Sequence, residues 1–269
     1  ALPLSADLYA LGYNKEKANP GEMADVDTWP EFAAYTERAG LNAAQAANWI
    51  ALGNQFGLRY LNERDEADLN RDRWEEAVAV YQQFQKLGIS SFFAVSSSSF
   101  YSSWSTPQLP PEWDLLPYPK RSEGDDAGAS RLYQIAAVGR ASQHVKEALE
   151  VLEYLVSFEH QLAGARRGIA SVLNDPRVHE EFGVESSVLA DKNRAAFFAL
   201  SPSSPPGRVS KYERIFWLIG GNQMLFQGLT PVFTRMRLEQ MSPEDAVNAF
   251  EAGIIQWLNI VKGLPPDSY

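Results

Sequence analysis

The residues that could carry catalytic chemistry in this chain are three histidines and several paired acids. His144, His160 and His179 fall on predicted helices or loops, without the HExxH spacing that sets two metal ligands on one helix face. The sequence has no GxSxG motif, no phosphate-cradling glycine loop and no cysteine. We therefore expect surface or capping roles for the histidines, and no cofactor or metal.

Adjacent acids offer a second possible chemistry, because a glycosidase needs two carboxyl groups that flank one bond. The sequence contains Glu75-Glu76, Asp125-Asp126 and Glu180-Glu181. Neighbouring residues on a helix point to different sides, so these pairs indicate solvated faces more than a catalytic dyad.

Aromatic residues beside small polar residues are more suggestive of sugar binding. Sugar rings stack their C–H faces on Trp and Tyr, while their hydroxyl groups need fixed polar partners in a concave site. The run from Ser96 to Trp104 contains both kinds of group, although a flexible serine-rich loop explains it equally well. Trp217 and Trp49 fall on apolar helices, where a role in the core is the default.

The charge of the chain argues against one class of partner, nucleic acid. The 269 residues carry 24 Lys and Arg against 34 Asp and Glu, a formal net charge of −10. This charge repels a long anionic polymer, so we expect no nucleic-acid partner. No apolar run approaches the roughly 20 residues that span a bilayer.

Hydrophobic periodicity and turn residues predict a mixed α/β region followed by helices. Strands are predicted at residues 8–13, 90–96, 113–117 and 131–138. Helices are predicted at 28–39, 42–56, 69–87, 144–157, 158–167, 188–200, 211–227 and 242–261. The Pro- and Ser-rich stretch 201–207 reads as a linker.

Four stretches in this order resemble the solute-binding proteins of ABC transporters, in the family that includes the maltose-binding protein and related sugar-binding lipoproteins. They are residues 2–16 with Tyr13-Asn14-Lys15, residues 27–32 (Asp-Thr-Trp-Pro-Glu-Phe), the succession from Trp113-Asp-Leu-Leu-Pro through Ile135-Ala-Ala-Val to residues 146–157, and Ser242-Pro-Glu-Asp-Ala246. Each motif alone is short, but their order spans nearly the whole chain.

The resemblance implies an α/β, periplasmic-binding-protein type II fold, present mainly as its C-terminal lobe. Residues 1–16 then form a crossover strand of the N-terminal lobe, residues 17–200 the C-terminal α/β lobe, and residues 201–269 the C-terminal helices. Family members begin with further residues that form most of the first lobe, so we expect a truncated chain. The abrupt joins near Gly40-Leu41 and Gly88-Ile89 suggest that short internal segments are also missing.

Carried over by position, the resemblance implies a set of ligand-binding residues. An acidic side chain on the crossover strand accepts sugar hydroxyls, a helix start lines the cleft, a loop after a strand presents an aromatic platform, and a later helix supplies a stacking ring. A loop at the cleft mouth adds an arginine. The corresponding residues here are Asp7, Asn48, Trp49, Ser97, Ser98, Tyr101, Trp217 and Arg167.

The implied function is capture of a mono- or oligosaccharide outside the cell and its delivery to the membrane permease of an ABC importer. The resemblance also implies a monomer that is not an enzyme, held extracellularly or in the periplasm by a lipidated N-terminus upstream of this chain. A peptide or anionic oligosaccharide is an alternative ligand, which the forked donors of Arg166-Arg167 would serve. Alternatives of another class are a glycoside hydrolase and a helical interaction scaffold.

Overall fold

A computed structural model gives the structure of the protein. It describes residues 2–19, 21–23, 25–85, 93–98, 112–203, 212, 229–236, 238 and 241–263. The chain divides into two compact units. Unit 1 combines Ala1–Ala51 with Ile89–Ser203, and unit 2 combines Leu52–Gly88 with Ser204–Tyr269. The predicted boundary at residue 201 lies near this division, whereas Leu52–Gly88 groups with the C-terminal residues.

The described elements begin with one strand and three helices, continue with four strands, and end mainly with helices. The strands are β1 (Leu2–Asn14), β2 (Phe93–Ser97), β3 (Trp113–Pro117), β4 (Ala127–Gly128), β5 (Ser130–Ala136) and β6 (Ser201–Pro202). The helices are α1 (Trp29–Arg38), α2 (Trp49–Gln55), α3 (Arg71–Gln85), α4 (Val145–Leu155), α5 (Phe158–Arg166), α6 (Pro176–Glu180) and α7 (Pro243–Lys262), with a 3₁₀ helix at Arg194–Phe198. Residues 229–236 are also helical. None of the helices in these described ranges is long and apolar enough to cross a membrane.

Strand β1 organises unit 1, because three antiparallel strands pair with it along its length. Its first half pairs with β5, from Leu2 opposite Ala136 to Leu8 opposite Ser130. Its second half lies between β2 and β3. The register with β5 shifts between Pro3 and Ser5, where a proline without an N–H is tolerated.

Both faces of β1 are covered, which explains its nearly continuous run of buried residues from Asp7 to Tyr13. Leu8 and Ala10 pack into a cluster with Phe182, Leu189 and Phe197. Aromatic side chains pack around α1. The ring centroids of Phe32 and Phe93 lie 5.0 Å apart, and those of Trp29 and Tyr118 lie 5.1 Å apart. The hydroxyl group of Tyr118 donates to the carbonyl of Ala46 at 3.1 Å, and burial raises the pKa of this phenol well above its ordinary value.

Unit 2 contains α3, α7 and the helical residues 229–236. The ring of Trp74 lies 5.3 Å from Phe250, which in turn lies 5.1 Å from Phe233. At the helix surfaces, Arg71 forms an ion pair with Glu251 at 2.9 Å. Apolar burial therefore holds α3 and α7 together, and the ion pair adds little because it is partly exposed.

Most predicted elements are confirmed within the described residues, and the differences have local causes. The predicted helix at 188–200 is wrong, since only the 3₁₀ helix at Arg194–Phe198 forms there. Asn193, the residue before this 3₁₀ helix, is bonded to strand β3. Asp114 Oδ1 accepts from the Asn193 N–H at 2.8 Å, and Asn193 Nδ2 donates to the carbonyl of Leu115 at 3.1 Å. The predicted helix at 42–56 is shorter, beginning at Trp49. Most of the predicted helix at 211–227 lies outside the described residues.

The buried side chain of Gln161 is hydrogen-bonded to several elements of unit 1. Its Nε2 donates to the carbonyls of Leu4 at 3.0 Å and Leu155 at 2.8 Å. Its Oε1 accepts from the Ser171 hydroxyl at 2.6 Å and the Val172 N–H at 3.2 Å. These four bonds use the full capacity of a primary amide and join β1, the end of α4, and the loop after α5.

Replacing Gln161→Leu should therefore lower the free energy of unfolding by about 2–3 kcal/mol, because buried groups lose their partners. Urea denaturation measures the change. The exposed Gln143→Leu is the matched control and should change stability little. Equal stability of the two variants would contradict the structural role of Gln161.

Helix α1 begins with a capping box that makes its stability depend on pH. Thr28 accepts from the Glu31 N–H, while the Glu31 carboxylate accepts from the N–H and the hydroxyl of Thr28, each at 2.9 Å. Hydrogen bonds from the Thr28 N–H, the Thr28 hydroxyl and the Asp27 N–H lower the pKa of Glu31 below its ordinary value of 4.5. A lowered pKa means that this stabilisation is present at neutral pH and is lost as the pH falls through the folded-state pKa.

We predict that Thr28→Ala lowers the free energy of unfolding by about 1 kcal/mol at neutral pH. The difference between the variant and the original protein should shrink below pH 4.5, as Glu31 becomes protonated. Thermal unfolding across a pH series tests this. A difference that grows on acidification would show that the capping box is not its source.

Candidate functional site

Two of the predicted ligand-binding residues, Asp7 and Ser98, lie in contact in unit 1. The Ser98 hydroxyl accepts from the Leu8 N–H at 3.0 Å and donates to Asp7 Oδ1 at 3.3 Å. The register of the sheet creates this contact, because β2 ends with Ser97 opposite Tyr9. Both side chains are 0% exposed, so neither of them meets solvent in this structure.

The start of α2 carries two further predicted residues. Asn48 precedes the helix, and its Oδ1 accepts from the N–H groups of Ile50 at 3.0 Å and Ala51 at 3.3 Å. This is an N-cap geometry, which occupies the amide oxygen and leaves the amide nitrogen as the polar group that a ligand would meet. Trp49 is buried at the first helical position.

Three predicted residues cannot be placed as side chains. Ser97 ends β2, where its backbone pairs with Tyr9, and its side chain is not among the described ones. Tyr101 and Trp217 lie outside the described residues. The stacking roles expected for these two rings therefore stay predictions.

Arg167 lies at the end of α5, with its side chain exposed. The neighbouring Arg166 is already engaged: its Nε donates to Glu181 Oε2 at 2.9 Å, and its Nη1 lies 4.0 Å from Glu185 Oε1. Both arginines therefore lie at the surface, and the charge of Arg166 is partly neutralised by Glu181 and Glu185.

A pocket of about 240 Å³ lies between β1, the start of α1 and the segment after β3. Its lining is mainly apolar, including Leu11, Phe32 and Tyr118, together with Asp27 and Lys120. Lys120 Nζ donates to Asp27 Oδ2 at 2.8 Å, and this bond and the charge of Asp27 raise the pKa of Lys120. None of the predicted site residues lines this pocket, and it is smaller than the roughly 300–1,000 Å³ of typical ligand sites.

The sequence does not indicate the pair of Asp27 and Lys120, since the pattern around Asp27 predicts only the start of a helix. The two residues meet through backbone pairing, in which the Lys120 N–H donates to the carbonyl of Asp27 at 2.7 Å. The isolated bridge that includes this contact joins segments more than 90 residues apart. No local pattern signals such a pairing.

The acids and histidines considered for catalysis mostly serve the structure. Asp125 Oδ1 accepts from the Ala127 N–H at 2.9 Å, and Asp126 Oδ2 accepts from the Ser201 hydroxyl at 3.1 Å. The ring of His179 stacks on Phe198 at 4.5 Å. Across the described residues, no group of three or more His, Asp or Glu side chains could hold a metal ion.

The chain is similar in structure to known proteins, but its sequence matches no family model and no curated protein. Among solved structures, the cyclic α-maltosyl-1,6-maltose-binding protein of Arthrobacter globiformis is 16% identical with a TM-score of 0.63, over 96% of this chain and 72% of that one.

Two further structures agree. A sugar transporter protein of Rhizobium etli in an open conformation is 14% identical with a TM-score of 0.62, over 98% of this chain and 72% of that one. An ABC-transporter solute-binding protein of Thermotoga lettingae, bound with α-D-tagatose, is 14% identical with a TM-score of 0.57, over 96% of this chain and 72% of that one. At these identities the likeness establishes the fold.

The four-stranded sheet of unit 1 excludes the helical scaffold considered from the sequence. The likeness spans nearly the whole chain, as the ordered motifs indicated. The chain therefore has an α/β fold shared with solved sugar-binding and solute-binding proteins of ABC transporters, which confirms the fold that the resemblance implied.

Proposed function

We propose that this chain is the substrate-binding component of an ABC importer, which captures a mono- or oligosaccharide and delivers it to the membrane permease. The observation that carries the proposal is a fold shared over at least 96% of the chain with proteins whose names state a sugar ligand or sugar transport. Those structures are of binding proteins, which supports a binding function and not an enzymatic one. The place of action would be outside the cell or in the periplasm, with a lipid anchor upstream.

The residues proposed to contact the ligand are of two kinds, flat rings and small polar groups. Tyr101 and Trp217 would stack on sugar rings, since each has an apolar face that matches the C–H face of a sugar. Trp49, which is buried, would instead hold the start of α2 in place beside Asn48. Asn48 would donate through its amide nitrogen, because its oxygen caps α2. Ser97 would add a hydroxyl group, and Arg167 would lie at the edge of the site.

Asp7 and Ser98 would position the ligand-binding residues without touching the ligand, because both side chains are buried. A buried carboxylate is costly unless it is hydrogen-bonded, and the Ser98 hydroxyl supplies one such bond. The same hydroxyl also accepts from the Leu8 N–H, so it fixes the residue at which the chain leaves β2. We propose that the pair positions the end of β2, on which Ser97 lies.

An anionic ligand is less well supported by the arrangement of charges. Arg166 would have to exchange its contact with Glu181 for the ligand, and the net charge of −10 opposes an approaching acid. A glycoside hydrolase is also disfavoured, because Asp125 and Asp126 are bonded to backbone and serine groups near β4.

Titration calorimetry against a panel of neutral mono- and oligosaccharides and uronic acids tests the function. We expect saturable binding of at least one neutral sugar. Trp217→Ala and Tyr101→Ala should each weaken it by roughly 2- to 10-fold, the value of one stacking contact. The exposed Tyr154→Ala is the matched control and should bind normally. A panel without any binding would overturn the proposed function.

The positioning pair has a test that does not need a sugar. Ser98→Ala should lower the free energy of unfolding by about 1–3 kcal/mol, since the Leu8 N–H loses its acceptor and Asp7 a donor. A double-mutant cycle with Asp7→Ala should show coupling, because this substitution removes the acceptor of the bond that the two side chains share. The exposed Ser187→Ala is the control in the same urea titrations. Additive effects of the two substitutions would refute the pairing.

A further inference from the structure

The described segment 41–48 connects α1 to α2 through turns, and three of its alanines are packed into the interior of unit 1. Ala43, Ala46 and Ala47 are 0%, 0% and 1% exposed. A buried connection of this kind is unusual, because the polar groups of its backbone need partners that water does not supply there. The segment ends at Asn48, whose side chain caps α2, so the bonds that fix the segment also fix this amide.

The side chain of Tyr118 reaches this segment from the residue after β3. Its hydroxyl donates to the carbonyl of Ala46 at 3.1 Å, a bond between buried groups 72 residues apart. The phenol is only 1% exposed, and the ring of Trp29 lies nearly perpendicular to it with the centroids 5.1 Å apart. Burial raises the pKa of the phenol well above its ordinary value, so the hydroxyl keeps the proton that it donates.

The backbone that carries this phenol is held on both sides. Pro117, the last residue of β3, lies opposite Ala10 on β1. The N–H of Lys120 donates to the carbonyl of Asp27 at 2.7 Å, and its carbonyl accepts from the Trp29 N–H at 2.9 Å. The phenol therefore extends from a fixed point, and its hydroxyl bond relates the position of the segment to that of the sheet.

From these contacts we infer that Tyr118 is a positioning residue, which fixes the segment before α2 and thereby holds the Asn48 amide where it donates to a sugar oxygen. The sugar contact in this inference rests on the proposed function. Ala46 lies two residues before Asn48, a reach of about 7 Å for an extended chain, whereas a binding group needs placement within about 0.5 Å. Tyr118 acts through the segment and does not touch the ligand, because its hydroxyl is buried against Ala46.

Tyr118→Phe tests the positioning without any sugar, because it keeps the ring and removes only the bond to Ala46. The N–H groups of Ile50 and Ala51 report on the result, since both donate to Asn48 Oδ1. In the variant, amide hydrogen exchange at these two residues should become about tenfold faster relative to the amides of β1, because the cap opens when the segment moves.

Tyr35→Phe is the matched control. Tyr35 is another buried tyrosine of unit 1, but its hydroxyl is hydrogen-bonded to the backbone of Asn19 and not to the segment before α2. We expect both variants to lose stability and only Tyr118→Phe to accelerate exchange at Ile50 and Ala51. Equal relative exchange rates at these amides in the two variants would overturn the inference.

Calorimetry with a sugar that the original protein binds tests the consequence for the ligand. Tyr118→Phe should weaken binding about five- to tenfold, while Tyr35→Phe should bind normally. The double variant Y118F/N48A should bind no more weakly than Asn48→Ala alone, because Tyr118 acts through Asn48. Independent losses that multiply in the double variant would refute a positioning role. Absence of any sugar binding by the original protein would overturn the proposed function, whereas the exchange rates would still decide whether Tyr118 positions Asn48.

Discussion

The pairing of β1 with three other strands is the constraint on which unit 1 depends. A single strand of 13 residues carries β5 along its first half and both β2 and β3 along its second half. The partners come from chain segments about 80 to 130 residues away, so their register is fixed by β1 and not by local turns. A shift of one residue would move every buried side chain to the other face of the sheet.

Several polar contacts follow from this register. Ser98 reaches Asp7 and Leu8 because β2 ends opposite Tyr9. Asp114 on β3 captures the Asn193 N–H and so sets the start of the 3₁₀ helix. Gln161 reaches the carbonyl of Leu4 at the other end of β1. Buried polar groups are bonded at both ends of the strand, which makes the sheet specific as well as stable.

In unit 1 the core is buried, whereas every residue of helix α4 is at least partly exposed. The core cluster around Leu8 and Phe182 is closed, and the aromatic rings about α1 are fully buried. Helix α4 is joined to this interior at its C-terminal end, where the carbonyl of Leu155 accepts from Gln161 Nε2 at 2.8 Å, and its residues are all at least partly exposed. None of the proposed ligand-binding residues lies on α4.

The amino-acid sequence by itself determined the class of fold and most of the elements, because these depend on local signals. Thr28, Pro30 and Glu31 predict the start of α1, and Ser242, Pro243 and Glu244 predict the start of α7 through caps and the helix dipole. The helix predicted at 188–200 failed because its backbone groups bond to β3, which no local pattern reports.

For the candidate site, the sequence selected Asp7 and Ser98 as separate residues, and the tertiary structure made them partners. The tertiary structure also assigned the oxygen of Asn48 to a helix cap and paired Arg166 with Glu181. The physical reason is the same in each case. Residue type and spacing fix what a segment can form, but the pairing of distant strands decides which groups meet and which surfaces stay open.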